Sequence, residues 1–227
     1  MEFVIPAPPR VSLEVTGETG RFPVCRIYCV GRNYVEHVRE MGNDEREPPF
    51  FFQKPADAIL PSGSDFPYPP RTSDVHHEIE LVVAIGKGGH DITAANALGH
   101  IYGYAVGIDF TRRDLQSKAK EMRRPWEAGK AFDHAAPCSA VRPAAAIGHP
   151  DRGRIWLSVN GEVRQNGDLS QQIWSVPETI EQLSELFALV PGDLLFTGTP
   201  AGVGPVVSGD RLSGGIDGIG EIEISVL

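Results

Sequence analysis

The sequence predicts a mixed β fold with few helices, of the α+β class. Three observations lead there. Short apolar runs follow one another with little helical pattern between them, roughly eight strands to three helices, so no βαβ repeat is present. The chain carries 25 glycines and 19 prolines in 227 residues, a loop-rich content that argues against a helical bundle. Asn160-Gly161 between two β-patterned runs is a type I′ hairpin turn.

The elements follow in order. The first 22 residues are Pro-rich and weakly patterned, an arm or a hairpin. VCRIYCV, from Val24, reads as a strand ending at Gly31. Asn33 to Met41 is helix-compatible but short and polar, and Pro48 and Pro49 stop it. PFFFQK reads as a buried strand and PSGSDFPYPP as a loop. Glu78 to Ile85 is a strand halted by GKGGH. Ile101 to Phe110 is another, in which Gly103 and Gly107 mark places where something approaches the backbone closely. Thr111 is the expected N-cap of the next helix, with Asp114 three residues on in a near capping box. IWLSVNGEVRQ is the hairpin. PETIEQLSELFALV is an amphipathic helix with Pro177 at its first position and Ile180, Leu183, Leu186 and Phe187 on one face. DLLFTGTP is a strand entering the loop AGVGP, and EIEISVL closes the chain in strict alternation.

A length of 227 residues suits one domain. We expect an N-terminal arm over residues 1–22 and a catalytic domain over 23–227. With 30 acidic and 21 basic residues the net charge is −9, which excludes an electrostatic footprint for nucleic acid or an anionic membrane. No apolar run approaches the ~20 residues of a membrane span, and MEFVIPAPPR lacks a signal peptide's apolar region. Cys25, Cys29 and Cys138 are too few and odd in number for a disulfide framework; they read as reduced thiols, which points to the cytoplasm. The phosphate-binding, dinucleotide, nucleophile-elbow, CxxC and HExxH motifs are all absent.

Chemistry therefore rests on other residues. Glu78 and Glu80 are two apart in a strand and so share a face, with Ile79 and Leu81 on the other. Two parallel carboxylates repel unless a hard divalent ion lies between them; the alternative is the solvated face of an edge strand. Asp109 ends an apolar run, where a lone carboxylate is costly unless paired, metal-bound or capping a helix. Together the three form a facial set of oxygen donors suited to Mg²⁺ or Mn²⁺ rather than zinc. His37 and Glu40 are three apart on a short helical stretch, either a general base with its orienting carboxylate or a surface ion pair. Lys130 follows PWEAG, either beside an anionic intermediate or solvated. Thr197-Gly198-Thr199-Pro200 is either a tight turn or a cradle whose amides and hydroxyls hold a carboxylate.

YCVGRNYVEHVREMG, FFQKPADA, HHEIELVVAIGKGG, GYAVGIDFTRRDLQ, GKAFDHAAP, VNGEVRQNGD and LLFTGTPAGVGP occur in the order in which they resemble blocks of the fumarylacetoacetate hydrolase family. The resemblance covers about residues 24–227, is greatest to the short acylpyruvate and fumarylpyruvate hydrolases, and leaves the N-terminal arm outside. It implies a mixed β roll, a homodimer, and Mg²⁺ or Mn²⁺ on Glu78, Glu80 and Asp109. It also implies a His37–Glu40 dyad on a segment that orders when ligand closes the site. The family's lysine falls on Lys130, its helix glutamine on Gln116, and its substrate-holding threonine on Thr199, beside Gly198.

The implied reaction is hydrolysis of a carbon–carbon bond in a 2,4-dioxo acid, giving fumarate and pyruvate if the substrate is fumarylpyruvate. Decarboxylation of oxaloacetate, or isomerisation or decarboxylation of a 2-oxo-dienoate, passes through a similar enolate and is the competing expectation. A non-enzymatic metal-binding role is the third. The far carboxylate of fumarylpyruvate calls for a cationic wall, for which Arg32, Arg112-Arg113 and Arg123-Arg124 are the candidates.

Overall fold

The computed structural model describes residues 3–34 and 47–227. Its centre follows from two nearly uninterrupted apolar runs, Ile79–Ile85 and Ile101–Ile108, which pair antiparallel within an eight-stranded sheet. All seven residues of the first are buried, as expected of a strand covered on both faces. Alternation divides its side chains between two cores. Ile79, Leu81, Val83 and Ile85 join a cluster with Ile155, Leu157, Leu212, Ile222 and Ile224 of a five-stranded sheet. Val82 and Ala84 join a second cluster with Cys29, Cys138 and Phe196. The N-terminal segment covers that second face: Ser12–Glu14 and Arg21–Pro23 form a hairpin that contributes Leu13 and Phe22.

The strand order of the large sheet starts with Phe50–Lys54, Ile27–Gly31, Leu194–Phe196 and Ile79–Ile85. It continues with Ile101–Ile108, Ala136–Cys138 and Ile59–Pro61, while the eighth strand, Arg142–Pro143, pairs with Ile101–Ile108 off this path. Gly107 is required where it stands, because a Cβ there would meet the ring of Phe196 and Cγ2 of Val82. The hairpin Arg154–Val159/Glu162–Asp168 turns through Asn160 and Gly161 at φ 53° and 84°, the left-handed pair that a type I′ turn demands. In the closing strand Gly220–Val226, Ile222, Ile224 and Val226 are buried in alternation. No helix among the described residues is long and apolar enough to cross a membrane.

Several local expectations are corrected. Phe50–Lys54 is not a buried strand: it is the sheet's edge, its phenylalanines are partly exposed, and only Lys54 is buried. Thr111 does not cap a helix. It pairs with His76 in a small sheet, and the helix starts at Arg113 after an extended Arg112 with no side-chain cap. The Asp114 carboxylate accepts instead from the hydroxyl of Thr72. The last long helix runs Val176–Leu186 from a Ser175–Glu178 capping box, so Pro177 is its second residue. Ile180 and Leu183 are buried as expected, but Leu186 and Phe187 are exposed because the helix ends there. Asp65–Phe66, inside the expected loop, forms a short strand against Gly220–Val226. Ala94–Ala97, Glu127–Lys130 and Ala144–Ile147 are four-residue helices, too short to leave a periodic signal.

Candidate metal centre and active site

Glu80 is the second residue of the long buried strand, opposite Gly107, and Glu78 lies at the break between Val75–His77 and Ile79–Ile85. Asp109 follows the neighbouring strand Ile101–Ile108, where its amide donates to the carbonyl of Glu78. This register brings three buried carboxylates together, with one oxygen of each within 4.8 Å of the others. Three facial oxygens of octahedral Mg²⁺, at about 2.1 Å from the ion, lie about 3 Å apart, so the carboxylates need to draw together only slightly to form such a site.

The surroundings of the carboxylates support that fit. Lys130, itself buried, donates to Glu78 Oε2 at 2.9 Å and to Asp109 Oδ2 at 2.6 Å. Lys54 Nζ lies 2.8 Å from Asp109 Oδ1 in a charge contact without hydrogen-bond geometry, so that oxygen keeps an unused lone pair. Arg113 donates to Glu78 Oε1. Burial alone would raise the carboxyl of Glu78, but Lys130 and Arg113 hold it well below the ordinary range. Burial alone would lower Lys130, and Asp109 and Glu78 hold it above its usual value. Among the described residues Glu80 has no cation of its own and accepts only the Gly198 amide, at 2.8 Å. Burial and the charges of Asp109 and Glu78 push it well above the carboxylate range. A buried carboxylate so placed lacks a counter-charge, and a hard dication against oxygen-only donors supplies one.

A cleft opens over the triad, lined by Arg32, Gln116, Lys130, Gly198 and Thr199 among others. Gln116 accepts from Arg113 Nη1 at 2.7 Å, which leaves its amide nitrogen for the cleft. The Gly198 amide is committed to Glu80, so this glycine positions a carboxylate; its φ of 94° and a Cβ clash with Asn33 explain why no side chain is tolerated. Thr199 is buried and accepts from Gln165 at 2.8 Å. Arg32 sits at φ 61°, a strained conformation for a non-glycine residue, with its Nε buried and without a hydrogen-bond partner among the described residues. His37 and Glu40 lie outside the described residues.

Four contributors escaped the sequence reading. Lys54 is the buried end of an edge strand, and a charge after three phenylalanines was its only signal. Arg113 was considered only as one member of an arginine pair, and its contact with Glu78 depends on the later helix start. Gln165, on the hairpin, contacts both His77 and Thr199. Lys120 lines the cleft over the ring of Trp126 at 4.9 Å, lowered to about 8 by burial and by Arg113, Arg32 and Lys130.

The fumarylacetoacetate (FAA) hydrolase C-terminal family profile matches residues 26–227. A crystal structure of fumarylpyruvate hydrolase from Pseudomonas aeruginosa in complex with Mn²⁺ and pyruvate is 55% identical. It superposes with a TM-score of 0.97, covering 100% of this chain and 99% of that one. The mitochondrial oxaloacetate tautomerase FAHD1 of Mus musculus is 42% identical over 88% of this chain and 90% of its own. The mitochondrial oxaloacetate decarboxylase of Dictyostelium discoideum is 41% identical over 89% and 91%.

Proposed function

Because the chain belongs to the fumarylacetoacetate hydrolase family, we propose that it hydrolyses the carbon–carbon bond of a 2,4-dioxo acid, fumarylpyruvate above all, to fumarate and pyruvate. The observation that carries this reading is the buried Glu78–Glu80–Asp109 set with Lys130 against it. The match to a fumarylpyruvate hydrolase along the whole chain supports it.

Charge balance favours the chemistry. Glu78, Glu80 and Asp109 face Lys54, Lys130 and Arg113, so the protein's own charges nearly cancel. Glu78, Glu80 and Asp109 would hold Mg²⁺ or Mn²⁺, which would supply two positive charges beside the reacting end of the substrate. At its 2-oxo end the substrate brings one carboxylate charge and the departing enolate gathers a second there, so a site of this charge complements the departing group better than the arriving substrate, which is what accelerates a reaction. In this reading His37, oriented by Glu40, takes a proton from a water that adds to the C4 carbonyl. The C3–C4 bond breaks with its electron pair on C3, and protonation there gives pyruvate. Lys130 opposes the developing charge, while Gln116 and Thr199 hold the carboxylate end. Gly198 contributes through the position of Glu80.

The distal carboxylate goes to the cleft rim. Arg32 lies over the ring of Phe50 at 5.7 Å, Lys120 over that of Trp126, and the two rings meet edge to face at 5.4 Å. Neither cation has an ion-pair partner among the described residues, which suits a planar unsaturated acyl group ending in an anion. Family resemblance and three unbridged cysteines support a homodimer in the cytoplasm, with residues 23–227 as the catalytic domain and 1–22 as an appended arm. The second reading, tautomerisation or decarboxylation of oxaloacetate, is favoured by the relatives at 41–42% identity.

The test is kcat/KM with Mg²⁺ for fumarylpyruvate, acetylpyruvate and oxaloacetate, with products resolved. A paired distal carboxylate is worth about 1.5–3 kcal/mol, so fumarylpyruvate should exceed acetylpyruvate by about ten- to a hundred-fold. Equal rates would remove the distal anion site. Turnover of oxaloacetate without cleavage of either dioxo acid would replace the hydrolase reading with the second.

A further inference from the structure

Gln165 is fully buried on the strand Glu162–Asp168, and each polar atom of its carboxamide is engaged twice. Its Oε1 accepts from the Ile79 amide at 3.0 Å and lies 2.9 Å from His77 Nδ1. Its Nε2 donates to the Pro200 carbonyl and to Thr199 Oγ1, both at 2.8 Å. The Ile79 amide can only donate and the Pro200 carbonyl can only accept, so the carboxamide cannot be flipped. Thr199 Oγ1 is therefore an acceptor towards Gln165, and its own proton must point elsewhere. Thr199 lines the cleft beside Glu80 and Lys130, and its hydroxyl donates to nothing among the described residues.

We infer that Gln165 is a positioning residue that holds the Thr199 hydroxyl as a donor into the cleft, aimed at a carboxylate oxygen of a bound 2-oxo acid. One side chain thereby couples three elements. It grips the backbone between Glu78 and Glu80, sits on the hairpin, and fastens the loop carrying Thr199 and Pro200. The loop lies close enough because Gly202, at φ 92°, presses against the carbonyl of Arg164 where a Cβ would collide. A threonine free to rotate would spend part of its time presenting lone pairs to an anion. With Gln165 in place, that orientation is already taken by the amide.

The inference rests on the proposed function only in that the cleft binds a 2-oxo carboxylate, and oxalate tests it without turnover. Calorimetry on the full chain in saturating Mn²⁺ compares wild type with Gln165→Leu, Thr199→Val and the double variant, with KM and kcat measured for fumarylpyruvate. Each single variant should weaken oxalate and raise KM by about ten- to a hundred-fold, with kcat less affected. The double variant should be no worse than Thr199→Val, since Gln165 acts through that hydroxyl. Gln165→Glu keeps the size and the acceptor for Ile79 but offers the hydroxyl an inward acceptor. It should lose oxalate affinity as Gln165→Leu does, and it decides the matter if Gln165→Leu fails to fold. Wild-type oxalate affinity in Gln165→Glu, or losses that multiply in the double variant, would overturn the inference. Oxalate binding with these effects but no cleavage of any dioxo acid would instead overturn the hydrolase reading and leave this one standing.

Discussion

Glu80→Ala should abolish turnover, lowering kcat/KM by about a thousand-fold or more, because the charge that assists the departing enolate is lost with the site that holds it. Among the described residues Glu80 is the triad member without a protein cation, held by a single backbone amide, so its removal takes a ligand and frees no ion pair there. Wild type treated with EDTA should fall to the same level and recover with Mg²⁺ or Mn²⁺, whereas the variant should not recover. Glu78 and Asp109 would remain tied to Lys130, Lys54 and Arg113, so the thermal midpoint should move little compared with activity. Activity retained in metal-free buffer would refute the assignment.

His37→Ala should lower kcat by about 10²–10⁴-fold, the usual worth of a positioned general base. Its effect should fall on the chemical step, so oxalate binding in Mn²⁺ should stay within a few-fold of wild type. The same variant should be as slow on acetylpyruvate, since both dioxo acids need the water. Unchanged hydrolysis would return His37 and Glu40 to a surface ion pair.

The residues that were legible in the sequence are those whose chemistry is encoded by local spacing. Two glutamates at the period of a strand had to share a face, and an aspartate after Tyr104–Ile108 had to be compensated. The hairpin turn at Asn160-Gly161 and the alternation of Ile222, Ile224 and Val226 are equally local. What was not legible depends on partners far along the chain. Lys54 reads as the tail of a strand, and only the arrival of Asp109 and the Phe110 carbonyl makes it a buried cation. Gln165 looks like any polar residue of a hairpin until the loop after Thr199 closes over it. Thr111 had the right residue type for a cap, but its backbone pairs with His76, and that bridge decides its conformation. The edge position of Phe50–Lys54 was invisible for a similar reason: an apolar run does not say whether one neighbour or two will flank it.

The central claim is that water is added across a carbon–carbon bond. Hydrolysis of fumarylpyruvate by the Mg²⁺-loaded protein in H₂¹⁸O, followed by mass spectrometry of the products, tests it directly. Attack on the C4 carbonyl delivers solvent oxygen to the new carboxylate, so fumarate should carry at least one ¹⁸O per turnover and appear in equal amount with pyruvate. Consumption of a 2-oxo acid with no labelled fumarate, only a tautomer or carbon dioxide, would contradict it.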